Sequence, residues 1–459
     1  MPRLVLVNPK NDRTLYGEYG WQPLSLAYLA GVTPPGWDVR IVDEVLASAT
    51  DADLDADLIG LTAFTTQAPR AYALAQRARA LGVRTVIGGV HATFMPEEAG
   101  RYADSVVVGE AEGIWARLIA DFERGELAPR YAGESPPMDP PPAIPRRELF
   151  VPGAYRYASM QSTRGCPLDC SFCSVTAFNG KTFRMSSADW VVDGLHRIPD
   201  PRVLIVDDDF NGFSKSARDR AYEVCRAVAE RGPKKRWMTQ VTINFGEEDA
   251  LPRMAAKAGC AAVFIGFESV SKSDLATISK KRYRAGSYFY ETVQRVRDAG
   301  IAVIGSFILG IDGQELERTV EETLEFMETA EIDAFNPTIL TPLPGTRDYR
   351  RYVAEGRLIH SDFPNDWVNY NLATPTVRSS RHTEARLFFN YQAWMSFFES
   401  EAVLARAERT RGALGEAAAE AAYLWNRAWA RHYRRALALP PDLPLPPPPA
   451  SSPNLRATG

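Results

Sequence analysis

Short apolar runs and helical patterns alternate through residues 1–130: RLVLVNP, QPLSLAYLAG, DVRIVDE, DLIGLTA, APRAYALAQRARALG, RTVIGG, SVVVGE and EGIWARLIADFERG follow one another. Runs this uniformly apolar suit strands buried on both faces, and their alternation with helices means parallel strands joined by crossovers. Five such strands predict a flavodoxin-like doubly wound α/β domain over 1–130, with a ligand crevice beyond the carboxyl ends of the strands. The stretch GESPPMDPPPAIPRREL at 133–149 predicts an extended Pro-rich linker, taken as 131–154. Alternation then resumes with YASMQST, RVLIVDDD, RWMTQVTI, AAVFIGFES, AVIGSFILG and AFNPTILTP. These six units fall short of the eight that close a full barrel, so 155–360 is expected to form a partial (β/α)6 barrel. Residues 361–438 read as mostly helical and 439–459 as a disordered Pro-rich tail, with no internal repeat along the chain.

Composition narrows the function. A chain of 459 residues with 45% hydrophobic content can bury the core of two or three units. A net charge of -4 gives no electrostatic case for nucleic acid or an anionic membrane as the main partner. No apolar run reaches about 18 residues, and the start MPRLVLVNPKND reads as a strand rather than a signal peptide. A cytoplasmic location is therefore expected. Five cysteines, an odd number, argue for reduced thiols used in metal binding or catalysis rather than a disulfide framework.

Three of these thiols cluster. In STRGCPLDCSFCSVTAFNG, Cys166, Cys170 and Cys173 follow directly on the first strand of the second domain, at its carboxyl end, where a β/α barrel keeps its chemistry. A CxxxCxxC loop can wrap one face of a small inorganic core, and three close thiolates suit an iron–sulfur cluster. A cubane takes four ligands, so three from one loop leave an iron open to an exogenous ligand. Structural zinc would bring a second Cys or His pair downstream, whereas the His residues at 91, 196, 360, 382 and 432 are scattered. Cys225 and Cys260, on predicted helices, read as small buried hydrophobes.

With Phe172 before its last cysteine, this segment resembles the signature of the radical S-adenosylmethionine superfamily. The resemblance implies a [4Fe–4S] cluster whose open iron is chelated by the amino and carboxylate groups of S-adenosylmethionine. It also implies reductive cleavage to methionine and a 5′-deoxyadenosyl radical. The same template places Asp208 and Asp209, in IVDDDFNG, beside the methionine ammonium. It puts Glu268 near the ribose, Lys280 or Lys281 near the methionine carboxylate, and Gly305 and Gly310 along the adenine. A catalytic residue for the substrate step stays unassigned.

The first domain carries a second resemblance. QPLSLAYLAG, GGVHATFMPEE and VVVGEAEGIW are similar to segments of the cobalamin-binding radical S-adenosylmethionine enzymes of the class B methylase type. Of the DxHxxG, SxL and GG set found in many cobalamin domains, VDEVLA lacks the His, Thr62-Ala63-Phe64 stands for SxL, and Gly88-Gly89 matches outright. Cobalamin contacts are implied at Thr62, Thr65, Gly88, Gly89, Gly109 and Glu110, with no protein imidazole below cobalt and a surface or hydrogen-bonding role for His91. The implied activity is cobalamin-dependent C-methylation of a small-molecule or natural-product substrate, with flavodoxin or ferredoxin as electron donor. Radical cyclisation or rearrangement without methyl transfer is the alternative, followed by a non-enzymatic cobalamin- or cluster-binding sensor. A tRNA methylthiotransferase is disfavoured because residues 1–165 hold no cysteine for a second cluster. The aromatic stripe RLFFNYQAWMSFFES reads as core packing ahead of a substrate-opening role.

Overall fold

The computed structural model describes residues 1–10, 20–280 and 286–436. Lys281 and the Pro-rich tail at 439–459 lie outside the described residues. The chain divides into two compact units. One comprises Met1–Asp200, Val206–Asp208 and Thr341–Asn371, and the other Pro201–Ile205, Asp209–Leu340 and Leu372–Gly459.

In the first unit, β1 (Arg3–Asn8), β2 (Asp38–Asp43), β3 (Leu58–Thr62), β4 (Arg84–Gly88), β5 (Ser105–Val108) and β6 (Arg130–Ala132) form one sheet in the order β2-β1-β3-β4-β5-β6. All neighbours are parallel. Leu4, Leu6, Leu58 and Val86 pack with Trp115 and Leu118 on one face. Val5, Val7, Ile59 and Ile87 pack with Ala71, Tyr72 and Ala75 on the other. Burial on both faces explains the unbroken apolar runs. The sixth strand was not expected: β6 is three residues long with only Tyr131 buried, too short to carry a pattern. The winding reverses between β1 and β3, which places the switch point there. Residues 341–360, expected in the barrel, and 361–371, expected in the C-terminal helical region, belong to this unit, and Trp367 and Tyr370 join its second core.

The same unit carries β7 (Ala158–Met160) and an antiparallel hairpin of β8 (Thr163–Arg164) and β9 (Arg184–Met185), which brackets the cysteine segment. The second unit holds β10 (Arg202–Ile205), β11 (Arg236–Val241), β12 (Cys260–Glu268), β13 (Ala302–Leu309) and β14 (Ala334–Ile339) as consecutive parallel neighbours. All six expected runs are thus strands. Cys260 opens β12 rather than ending a helix, because Gly259 at φ +94° turns the chain out of the helix Ala250–Lys257. Phe267, Phe307 and Phe335 fill one face of this sheet, with Phe289 and Phe326 from the crossover helices.

The helix Glu416–Ala436 lies on the other face. Trp425 packs on Phe264 with ring centroids 5.5 Å apart, and Trp429 Nε1 donates to Asn336 Oδ1 at 2.9 Å. The backbone N–H of Phe335 on edge strand β14 donates to Asn426 Oδ1 at 3.2 Å, which satisfies an edge group. The aromatic stripe is core, as expected: Trp394, Phe397 and Phe398 surround Phe335, and of its aromatic residues Phe389 alone is largely exposed. Among the described residues, no helix is long and apolar enough to cross a membrane.

Candidate functional site

The cysteine loop is held by its backbone. Asp207, fully buried, accepts from Ser162 N (2.6 Å), Ser162 Oγ (2.6 Å) and Thr163 N (2.9 Å), which fixes the entry into β8. Next to it, Val206 N donates to Met160 O at 2.6 Å. Inside the loop Cys166 N donates to Gly180 O at 3.3 Å, and Thr176 Oγ1 donates to Cys166 O (3.1 Å) and Leu168 O (2.6 Å). The helix Arg347–Ala354 pins the middle of the motif: Ser171 Oγ donates to Asp348 Oδ2 at 2.9 Å and Asp348 N donates back to Ser171 O at 3.0 Å. Sequence reading missed Asp348, because a bond across 177 residues leaves no local signal.

The three motif cysteines are half-buried as residues, whereas Cys225 and Cys260 are buried. Burial pushes the Cys225 thiol up to about 12, which makes it inert. Burial and then the neighbouring Cys170 hold the Cys173 thiol well above the ordinary range. Three bare thiolates here would repel one another, so a cationic core is needed to gather them. Among the described residues no group of three or more His, Cys, Asp or Glu side chains is placed to hold a single metal ion. Three thiolates from one loop fit a soft iron–sulfur cluster better than structural zinc, which takes its ligands in pairs.

The expected cosubstrate residues fall in both units. In the first, Phe172 is half-buried beside Cys173, and Asp208 accepts from Asn179 Nδ2 at 3.0 Å with its carboxyl pushed up to about 6, chiefly by burial. In the second, Asp209 accepts from Asn211 N (3.3 Å) and Gly212 N (3.1 Å). Glu268, at φ +65°, receives Lys280 Nζ at 2.7 Å in a buried pair, and Lys280 also donates to Gly266 O at 2.6 Å. Backbone strain of this kind at a strand end is a mark of functional positions. Gly310, at φ +91°, ends β13 with its N–H on Gln314 Oε1 at 2.8 Å. Gly305 serves packing: a Cβ there would meet Phe307 at 3.1 Å and Ile332 at 3.3 Å.

The expected corrin residues converge at the carboxyl ends of β3, β4 and β5. Thr62 pairs with Gly88 in register. Gly89, at φ +92°, lets the helix Gly89–Phe94 start directly against Thr62 and Ala63, where a Cβ would sit 2.8–2.9 Å from their atoms. Thr93 Oγ1 links Gly89 O (2.9 Å) to Gly109 N (2.9 Å), and Thr65 is buried at the start of the next turn. Glu110 turns its carboxylate to Arg164 and Arg184. His91 is buried, with Nε2 3.2 Å from Glu98 Oε1, which also accepts from Trp367 Nε1 (2.9 Å) and Tyr72 OH (2.8 Å).

Two family models match: the B12 binding domain over residues 14–119 and the radical SAM superfamily over 160–327. The chain is 30% identical over 383 residues to bacteriochlorophyllide d C-12(1)-methyltransferase of Chlorobaculum tepidum, covering 80% of each chain. It belongs to the cobalamin-binding radical S-adenosylmethionine methyltransferases. As a member of this family it is an enzyme whose cofactors are a [4Fe–4S] cluster, S-adenosylmethionine and cobalamin. Bacteriochlorophyllide d C-8(2)-methyltransferase of the same organism is 28% identical over 401 residues, covering 82% of this chain and 84% of the relative. The radical S-adenosylmethionine methyltransferase TsrM from Kitasatospora setae shares the fold at a TM-score of 0.64 and 18% identity, over 79% of this chain and 77% of that one.

Proposed function

We propose that this enzyme transfers a methyl group to carbon of a small-molecule substrate. The observation that carries the reading is the three-thiol loop, braced by Asp207 and Asp348, in the same compact unit as the glycine-bearing carboxyl ends of β4 and β5. Cys166, Cys170 and Cys173 hold the cluster. Asp208 and Asp209 receive the methionine ammonium, Phe172 and Gly310 flank the cosubstrate, and the preformed Glu268–Lys280 pair meets ribose and carboxylate. Thr62, Thr65, Gly88, Gly89 and the backbone of Gly109 and Glu110 line the corrin. When bound, the cluster supplies the electron that splits the sulfonium and cobalamin carries the methyl group. A flavodoxin or ferredoxin serves as electron donor. Methylation stands ahead of cyclisation because both relatives described above are methyltransferases. With the true substrate, turnover should yield S-adenosylhomocysteine and 5′-deoxyadenosine in equal amounts; 5′-deoxyadenosine alone would favour cyclisation or rearrangement.

The Asp208 carboxyl gives a pH test. With a folded value of about 6, it is neutral below that pH and cannot pair with an ammonium. Cosubstrate affinity should fall roughly tenfold per unit below this value, and Asp208→Asn should weaken binding and flatten the profile. The folded value lies above that of an unfolded carboxyl, so ionisation costs stability as pH rises from about 4 to about 6. Asp208→Asn should therefore also raise the unfolding temperature at neutral pH. An unchanged affinity and pH profile in this variant would remove Asp208 from the site.

The lower face of cobalt gives a second test. The loop DEVLAS at 43–48 holds no imidazole. Asp43 there accepts from Asn8 Nδ2 and Tyr155 OH, each at 2.8 Å, and Glu44 accepts from Arg70 Nε at 2.8 Å. His91 is committed to Glu98 inside the core. With the cofactor's own dimethylbenzimidazole displaced and no protein nitrogen in its place, electron paramagnetic resonance of the Co(II) form should show no axial-nitrogen splitting, and its presence would contradict this arrangement.

A further inference from the structure

Two arginines of the cluster hairpin grip one loop of the corrin domain. Arg164, on β8, donates through Nη1 to Glu110 Oε2 at 2.5 Å, through Nη2 to Glu112 Oε1 at 2.6 Å, and through Nε to Gln161 Oε1 at 2.8 Å. Arg184, on β9, donates through Nη1 to Glu110 Oε2 at 3.1 Å and to Pro136 O at 2.7 Å, and through Nη2 to Glu110 Oε1. Nη2 of Arg184 also reaches Asn179 O at 3.3 Å, and Asn179 Nδ2 holds Asp208. Side-chain exposure is 8% for Arg164, 12% for Arg184, 4% for Glu110 and 10% for Glu112, so the four charges form a buried and balanced set. Burial alone would lower the Arg164 guanidinium, but Glu112 and Glu110 more than reverse this.

We propose that Arg184 and Arg164 are positioning residues that register the loop after β5, which lines the corrin, against the hairpin that carries the cluster. The inference rests on the cofactor placement of the proposed function. Buried ion pairs contribute little net stability against apolar replacements, and setting register is their best-attested use. The loop needs such a device. Gly109 at φ +84° and Gly113 flank Glu110 and Glu112, so those two positions offer no side chain to anchor the loop. Two cofactors whose separate steps act on one substrate have to be held to within about 0.5 Å. A planar guanidinium fork offers that precision, whereas a lysine ammonium is a point charge.

The first test uses the full chain without cofactors. In Arg184→Met, amide hydrogen exchange should quicken roughly tenfold in two separate segments, residues 105–113 and 163–185. Acceleration confined to 163–185 would overturn the proposal. Arg184→Met/Glu112→Gln, which restores charge balance around Glu110 and Arg164, guards against a variant that fails to fold. The second test loads this double variant with hydroxocobalamin and a reconstituted iron–sulfur cluster and reduces it. Corrin and iron contents should match the wild type, while cluster-induced relaxation of the Co(II) spectrum falls about twofold or more, the result of loosened placement. Arg184→Lys should lie between. A merely structural role predicts lower cofactor content with unchanged relaxation in the loaded fraction, and that result also overturns the proposal. Wild type that binds no corrin would sink the proposed function, and the exchange measurement would still decide the clamp.

Discussion

Replacing Cys166, Cys170 and Cys173 together by alanine is expected to give a folded chain that holds no iron and forms no 5′-deoxyadenosine. Wild type reconstituted anaerobically should carry about four iron and four sulfide, as a single cubane requires. The variant folds because the loop's shape does not depend on its thiols. Its turns are closed by Cys166 N to Gly180 O, by Thr176 to the Cys166 and Leu168 carbonyls, and by the paired Ser171–Asp348 bonds. The three cysteines are half-buried residues of a loop and each loses only its sulfur, so stability should stay within about 1 kcal/mol of the cofactor-free wild type. Stoichiometric zinc without iron in the wild type, or iron retained in the triple variant, would overturn the cluster assignment.

Asp207→Ala should be the most destabilising change near the site, at about 3 kcal/mol or more, because it strands Ser162 N, Ser162 Oγ and Thr163 N in a buried position without their shared acceptor. All three bonds are charge-assisted. Their loss also frees the chain entering β8, so iron content should fall with stability. Asp207→Asn keeps one acceptor oxygen for the two backbone amides and should cost about 1–2 kcal/mol. Urea unfolding and iron analysis of both variants test this. A midpoint for Asp207→Ala indistinguishable from wild type would show that the carboxylate is dispensable. Within one DDD run the three neighbours thus differ: Asp207 is a pin, Asp208 a raised carboxyl held by Asn179, and Asp209 an acceptor for its own turn.

Much of this was legible in the residues because the signals are local. Three thiols within eight positions, placed after an apolar strand, specify soft-metal chemistry whatever surrounds them. Gly88-Gly89 announced a strand-to-helix turn too tight for side chains, and Gly89 shows why, with Thr62 and Ala63 where its Cβ would be. The single residues were less legible. Gly305 stands where close ligand approach was expected, and its missing side chain also makes room for Phe307 and Ile332. Glu110 sits in the expected corrin loop, but its side chain is claimed by two arginines.

The alternation of the main strands and helices, the doubly wound domain followed by a partial barrel, and the three-cysteine motif were determined by the sequence alone, whereas the short β6 and the start of β12 at Cys260 were not. Hydrophobic period and motif spacing act over a few residues, and the chain displays them directly. Only the tertiary structure decided that residues 341–371 join the N-terminal unit, that Asp348 braces the cysteine loop, that Trp367 closes on Glu98 across 269 residues, and that Arg164 and Arg184 hold Glu110. A buried charge or indole can take any partner that the fold brings within about 3 Å. That choice depends on which distant segments meet, and no local pattern records it.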